Sequence, residues 1–296
     1  MWVYKPTNHQ SYRFTKTRYN ALMSTSTTQE SHFEQHIAVD SSGISALSLL
    51  AEHTTLSKQK IKNAMKNGCV WLESPIGTNR LRRSKKILPQ GATLHIYYDE
   101  AIQNTAITKA LLVADEGAYS IWNKPYGMYS QGTKWGDHCT VYRWAETHLK
   151  PERPAFIIHR LDRAASGLII IAHSKKMANY FSDLFSKRKI EKRYNAIVEG
   201  NLSELTLPHK ISIEIDGKSA ISRILSIEQY DNTASISIEI ETGRKHQIRK
   251  HLSEIGHPIV GDRLYGSGKS EENLQLQSNY LQFTCPVTKT KKEYSL

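Results

Sequence analysis

The pattern of apolar and polar positions along this chain predicts most of its elements. Residues 155–158 and 168–172 are uninterrupted apolar runs, the mark of strands buried on both faces. Residues 118–122 are strand-like and lead into a Pro/Gly turn at 123–127. Strict alternation over 211–215 and 235–240 predicts half-buried antiparallel strands. Shorter strands are expected at 69–72 and 93–98. Helical spacing appears at Ile44, Leu47, Leu49 and Leu50. It returns at Ile61, Ala64 and Met65, with Ser57 as N-cap and Gly68 as stop. Ser174 precedes a third helix bearing Met177, Phe181, Leu184 and Phe185. A fourth is expected after Thr242-Gly243, with Ile248, Leu252 and Ile255 inward and Gly256 at its end.

These elements predict an α+β protein, its large domain built on a mainly antiparallel mixed sheet with flanking helices. The expected organisation is a poorly ordered extension over 1–31, a small domain over 32–101, a linker over 102–116 and a large domain over 117–296. No internal repeat interrupts it.

Composition narrows the class. The chain has 296 residues, 39% of them hydrophobic, and a net charge of +12. No apolar stretch approaches a membrane span, and the polar first residues lack the apolar core of a secretory signal. A cytoplasmic monomer is the expectation. Cys69, Cys139 and Cys285 are odd in number and far apart, which fits free thiols better than disulfides or a zinc site. With no phosphate-binding loop or dinucleotide fingerprint, no cofactor is expected.

The charge is concentrated. Residues 57–86 hold nine basic side chains against one acid, Glu73, and so carry +8 of the +12. Lys58, Lys62 and Lys66 repeat every four residues and share a helix face. Arg80, Arg82, Arg83, Lys85 and Lys86 cluster in the loop between two strands. Together they predict a phosphate-binding footprint, and RNA as the partner. The stretch from Leu56-Ser57-Lys58 through Asn67-Gly68-Cys69-Val70-Trp71 to Leu88-Pro89-Gln90-Gly91 resembles an S4-type RNA-binding domain. Residues 42–47 depart from that family's usual opening.

Three segments carry candidate chemistry. His159-Arg160-Leu161-Asp162-Arg163-Ala164-Ala165-Ser166-Gly167-Leu168 places a carboxylate between two apolar strands, where desolvation is costly without a partner or a task. Lys192-Arg193-Tyr194 lies on a strand. Thr242-Gly243-Arg244-Lys245-His246-Gln247-Ile248-Arg249 runs on to Gly256-His257-Pro258-Ile259-Val260-Gly261-Asp262-Arg263-Leu264-Tyr265-Gly266. Its histidines keep company with Arg, Lys and Gln and lack metal-ligand spacing, so no metal is expected. Together with Lys124-Pro125-Tyr126-Gly127, these segments closely resemble the RluA-type pseudouridine synthases. Ala165 and Lys245 depart from the family pattern, which has Thr at both.

The resemblance implies a cofactor-free isomerisation of uridine in structured RNA: N1–C1′ breaks, the base turns and C5–C1′ forms. Ribosomal RNA, 23S in particular, is favoured, with transfer RNA as the other substrate class. Asp162 is implied as the catalytic carboxylate, either attacking C1′ or removing the C2′ proton. Arg249 is its implied counter-ion, and Tyr194 packs on the base and helps in the late proton transfer from C5. Ile248 walls the pocket with His159 and Gln247 nearby, and Arg160 fills the gap left by the flipped uridine. A catalytically silent RNA-binding or ribosome-assembly protein would be expected to lack one of Asp162, Tyr194 and Arg249. An Asp-dependent nucleosidase would release free uracil.

Overall fold

The computed structural model describes residues 31–266 and 271–296. The segment expected to be poorly ordered falls, except for Ser31, outside the described residues.

The first elements are β1 (His32–Ala38), α1 (Ala46–His53), α2 (Lys58–Asn67), β2 (Val70–Ser74), β3 (Gly77–Arg80), β4 (Thr93–Asp99) and α3 (Glu100–Gln103). The strands form an antiparallel sheet in the order β1-β4-β2-β3. Helix α2 has the ends its sequence announces. The Ser57 hydroxyl accepts the Lys60 N–H at 3.3 Å, and Gly68 closes the helix in the left-handed region at φ +83°. Ile61, Ala64 and Met65 pack on Leu50, Leu94 and Ile96 to form the core. Strand β1 escapes the periodicity reading because its inward positions include Gln35 and its outward ones are polar or small.

The second sheet is built from β5 (Leu111–Asp115), β6 (Tyr119–Lys124), β7 (Phe156–Ile157), β8 (Ser166–Ala172), β9 (Glu191–Glu199), β10 (His209–Ile211), β11 (Ser222–Gln229), β12 (Thr233–Ile240), β13 (Leu276–Thr284) and β14 (Lys291–Ser295). Helices α4 (Val141–His148), α5 (Lys175–Ser186) and α6 (Gln247–Glu254) flank it. The strand order is β10-β11-β12-β9-β13-β8-β6-β5, with β14 on β13 and β7 on β8. Every pairing is antiparallel except β13 with β8.

Strand β8 explains its own apolar run. Ile169 and Ile171 join one core with Trp122 and Leu252, whereas Leu168 and Ile170 join the opposite core with Phe181 and Leu281. Both faces are covered, so no polar alternation is needed. Where β8 meets β13, a Cβ on Gly167 would come within 2.2 Å of the Ser278 carbonyl oxygen. Gly167 also has φ +108°, so only glycine fits this crossing. The crossing lies immediately after the segment bearing Asp162.

Two elements differ from expectation. Residues 111–115, placed in a linker, pair with β6 as an edge strand. The alternation over 211–215 continues past the end of β10: Asp216 at φ +52° and Gly217 at φ +69° turn the chain, and the Ile213 carbonyl faces His251 Nε2 at 3.0 Å instead of a strand. Helix α6, expected after Thr242-Gly243, begins at Gln247, where His246 at φ +56° precedes it.

Candidate active site

Asp162 lies in the loop between β7 and β8, with its side chain about a quarter exposed. The loop is held from three sides. Ser130 Oγ donates to the Leu161 carbonyl at 2.7 Å and accepts the Leu161 N–H at 3.0 Å. The Lys124–Gly127 turn clips the next residue: the Gly127 N–H donates to the Arg163 carbonyl at 2.9 Å, and Arg163 Nε donates back to the Gly127 carbonyl at 3.2 Å. Lys124 is wholly buried, and its ammonium donates to the carbonyls of Pro125 and Met128 at 3.0 and 2.9 Å. Burial pulls its amine down to about 7, while the charge of Asp162 pulls the other way.

The third hold is His159, whose Nε2 accepts the Ile170 N–H at 2.9 Å. Burial pushes this imidazole down to about 3, with nearby Lys192 acting in the same direction. It is therefore neutral at physiological pH. Expected in the substrate pocket, His159 does border the larger cavity, but its acceptor nitrogen is occupied by the backbone.

Helix α6 brings the counter-charge. Arg249 Nη1 stands 3.6 Å from Asp162 Oδ2. Its firmer partner is Asp262, which accepts from Nε at 2.7 Å and from Nη2 at 2.6 Å. Asp262 Oδ1 also accepts the N–H groups of Leu264 and Tyr265 at 3.0 and 3.1 Å. These contacts hold the Asp262 carboxyl below the usual range even though burial opposes its ionisation. On the other side of Asp162, His246 Nε2 lies 3.7 Å from Oδ1.

Of the cavities that border Asp162, two also border Tyr194. One of about 100 Å³ is walled by Tyr194, Ile240, Ile248 and Leu276, with Arg249 and His246 contributing polar atoms. The other, about 510 Å³, is rimmed by Arg160, Arg188, Lys192, Arg244 and Lys245. Strand alternation sends Lys192 and Tyr194 to the cavity side, and burial pushes the Tyr194 phenol up to about 12. Arg160 is exposed at the rim. Gln247 borders the smaller cavity, yet its amide is fully engaged: Oε1 accepts from the Thr242 hydroxyl and the Arg244 N–H, and Nε2 donates to the Ile221 carbonyl and Ser222 Oγ.

The predicted basic surface divides. Lys58, Lys62, Lys66, Arg83, Lys85 and Lys86 are exposed. Arg80 and Arg82, expected among them, turn inward. Arg82 Nη2 donates to the buried Asp137 at 2.6 Å and Nη1 to the Lys66 carbonyl at 2.8 Å. Arg80 stacks over Trp71, donates to the carbonyls of Gly68 and Thr133, and lies 3.3 Å from Asp137. Asp137 also accepts from the Tyr142 hydroxyl at 2.5 Å. A buried carboxylate demands partners, and these two arginines supply them, tying the end of α2 to the segment that leads into α4.

Sequence reasoning passed over four supporting residues: Ser130, Lys124, Tyr265 and His246. All but Ser130 lie in quoted segments, but spacing alone does not say which side chain turns toward Asp162.

The fold, with a carboxylate loop at the centre of a long mixed sheet, defines a class. The solved human RNA pseudouridylate synthase domain-containing 1 shares it, with a TM-score of 0.54 and 23% identity over 65% of this chain and 84% of that one. The RNA pseudouridylate synthase family profile matches residues 118–254. Ribosomal large subunit pseudouridine synthase D of Buchnera aphidicola is 30% identical over 71% of this chain and 77% of its own length. The enzyme of the same name from Blochmanniella floridana is 30% identical over 70% of this chain, which spans 64% of that relative. The tRNA pseudouridine synthase C of Vibrio parahaemolyticus is 29% identical over 56% of this chain and 81% of its own length. This chain belongs to the RluA-type RNA pseudouridine synthase family.

Proposed function

We propose that this protein isomerises uridine to pseudouridine in structured ribosomal RNA, with Asp162 as the reacting carboxylate. The observation that supports this most is the position of Asp162, which borders both cavities and stands beside Arg249. The smaller cavity suits a single planar base between Tyr194 and Ile248. The larger, cation-rimmed one suits the flanking phosphates.

In this reading the target uridine is flipped, and Arg160 fills the vacated stack. N1–C1′ breaks as Asp162 attacks C1′ or takes the C2′ proton. The freed uracil turns against Tyr194, C5 bonds to C1′ as the Asp162–C1′ bond breaks or the C2′ proton returns, and the C5 proton leaves while N1 gains one. Substrate and product are isomers, so the reaction needs no co-reactant. Burial raises the Tyr194 phenol to about 12, and its ring packs on the base.

The module of β1 to β4 with α1 and α2 acts as an S4-like RNA grip through Lys58, Lys62, Lys66, Arg83, Lys85 and Lys86. Two relatives bear the name of ribosomal large subunit enzymes, which favours ribosomal RNA. Pseudouridine mapping of total RNA from cells with and without the gene tests the proposal. A site lost from large-subunit ribosomal RNA supports it, a site lost only from transfer RNA redirects the substrate, and no lost site rejects it.

A further inference from the structure

We infer that His246, braced by Tyr265, is a second positioning residue for Asp162 and that, with Arg249, it holds the carboxylate between two N–H donors. His246 Nε2 lies 3.7 Å from Asp162 Oδ1 and Arg249 Nη1 lies 3.6 Å from Oδ2. Each carboxylate oxygen thus faces one nitrogen, at a distance that leaves it room to move toward the sugar. The His246 ring also borders the smaller cavity.

The tautomer follows from the second ring nitrogen. His246 Nδ1 is 2.9 Å from the Tyr265 hydroxyl. A neutral imidazole carries one N–H and one lone pair. A lone pair on Nε2 would repel the carboxylate, so the favourable arrangement puts the hydrogen on Nε2 and lets Tyr265 donate to Nδ1. This aim has a local cost in the backbone. His246 sits at φ +56° and makes no side-chain capping bond to α6, an unfavourable conformation for a residue with a Cβ.

One short segment, residues 261–266, supplies both arms. Asp262 anchors Arg249 and also accepts the Tyr265 N–H, which fixes the tyrosine that orients His246. The Ser253 hydroxyl donates to the Tyr265 carbonyl at 2.7 Å and ties that segment to α6.

The surrounding charges give the arrangement a pH dependence. From its own stretch of chain His246 faces Lys245, Arg249 and Lys250. The neighbouring loops present Asp162, Arg163, Arg263 and Tyr265, with Tyr126 closing the side. Burial is the largest influence and lowers the imidazole; Asp162 opposes it and the three cations reinforce it. The ring thus holds a second proton less readily than a free imidazole. Protonation in acid would convert a loose contact into a closed ion pair and withdraw Oδ1 from the substrate.

The inference rests on Asp162 as the reacting group, so Asp162→Asn is assayed beside the other variants. The assay is single-turnover pseudouridine formation by the full chain on an in vitro transcript of large-subunit ribosomal RNA. His246→Ala should slow the reaction roughly 10- to 100-fold, the range for a hydrogen bond to a charged group once the 3.7 Å contact closes in the reacting complex, with RNA affinity held within about twofold. His246→Gln keeps an N–H donor that cannot titrate. It should recover most of the lost rate and lack the wild-type decline in acid. Tyr265→Phe removes one hydroxyl and should slow the reaction without weakening binding. A wild-type rate in His246→Ala, a Gln variant no better than Ala, or an unchanged acid limb in Gln overturns the inference. Should His246→Ala not fold, a wild-type rate in Tyr265→Phe overturns it alone. Turnover by Asp162→Asn rejects the parent assignment separately.

Discussion

The guanidinium of Arg249 makes two hydrogen bonds of 2.6 and 2.7 Å to Asp262 while standing 3.6 Å from Asp162. The arginine is a fixed post, and Asp162 is the free end of the pair. Asp262→Asn keeps the shape but halves the fork and leaves Arg249 buried with a weaker partner. Removing one partner of a buried ion pair costs about 3–5 kcal/mol. The variant should melt several degrees lower and turn over more slowly, as read by thermal unfolding and single-turnover rate on the same preparation. Unchanged melting would mean that Asp262 does not anchor the arginine.

Asp162→Asn should abolish pseudouridine while leaving RNA affinity within about twofold, because the change is nearly isosteric and removes only the charge. Reverse-transcription stops after carbodiimide treatment report product, and filter binding reports affinity. Free uracil from the wild type would instead indicate a nucleosidase.

The basic side chains should separate into two groups. Replacing Arg83, Lys85 and Lys86 together should flatten the salt dependence of RNA binding, by roughly 0.7 to 0.9 in log–log slope for each phosphate no longer neutralised. Replacing Arg82 should act on stability, since Asp137 would keep a buried charge with one fewer donor. Salt titrations and melting curves on the two variants check this. A flattened slope for Arg82→Ala with unchanged melting would contradict the inward geometry.

His159 makes stability pH-dependent. Its folded value of about 3 lies below the ordinary 6.5, so the unfolded chain takes up a proton that the native state refuses. The contribution is fully present above about 6.5 and is lost as pH falls toward 3, at no more than about 1.4 kcal/mol per pH unit. Urea unfolding across this window should show a shallower slope in His159→Gln than in the wild type.

Gly167→Ala places a methyl 2.2 Å from the Ser278 carbonyl oxygen at φ +108°. Strand β13 must move away from β8 to admit it. A loss of more than about 3 kcal/mol is expected, the scale of a severe backbone conflict, with chemical denaturation as the measure.

Much of this was legible in the chain. Helix α2 could be read from end to end because Ser57 and Gly68 act through their own backbone and nearest neighbours. Strand β8 could be read because burial on both faces writes a continuous apolar run. The Asp162 loop and the Arg249 segment carried the family resemblance. The exact first residue of α6 was not legible, because it is set by a histidine in a left-handed conformation and not by a capping side chain. Strands β1 and β14 leave only weak marks, since half-buried edge positions accept polar residues.

By itself the sequence determined the residue types of the site, the family and the basic character of the small module, because these depend on local patterns and composition. Tertiary structure decided where the charges point. Arg80 and Arg83 look alike in a string, yet one is turned inward and the other faces water. Asp162 lies far along the chain from His246, Arg249 and Asp262, and only packing of α6 against the β7–β8 loop brings them together. Hydrogen-bond geometry and desolvation act over a few ångströms in space, and no spacing along the chain encodes them.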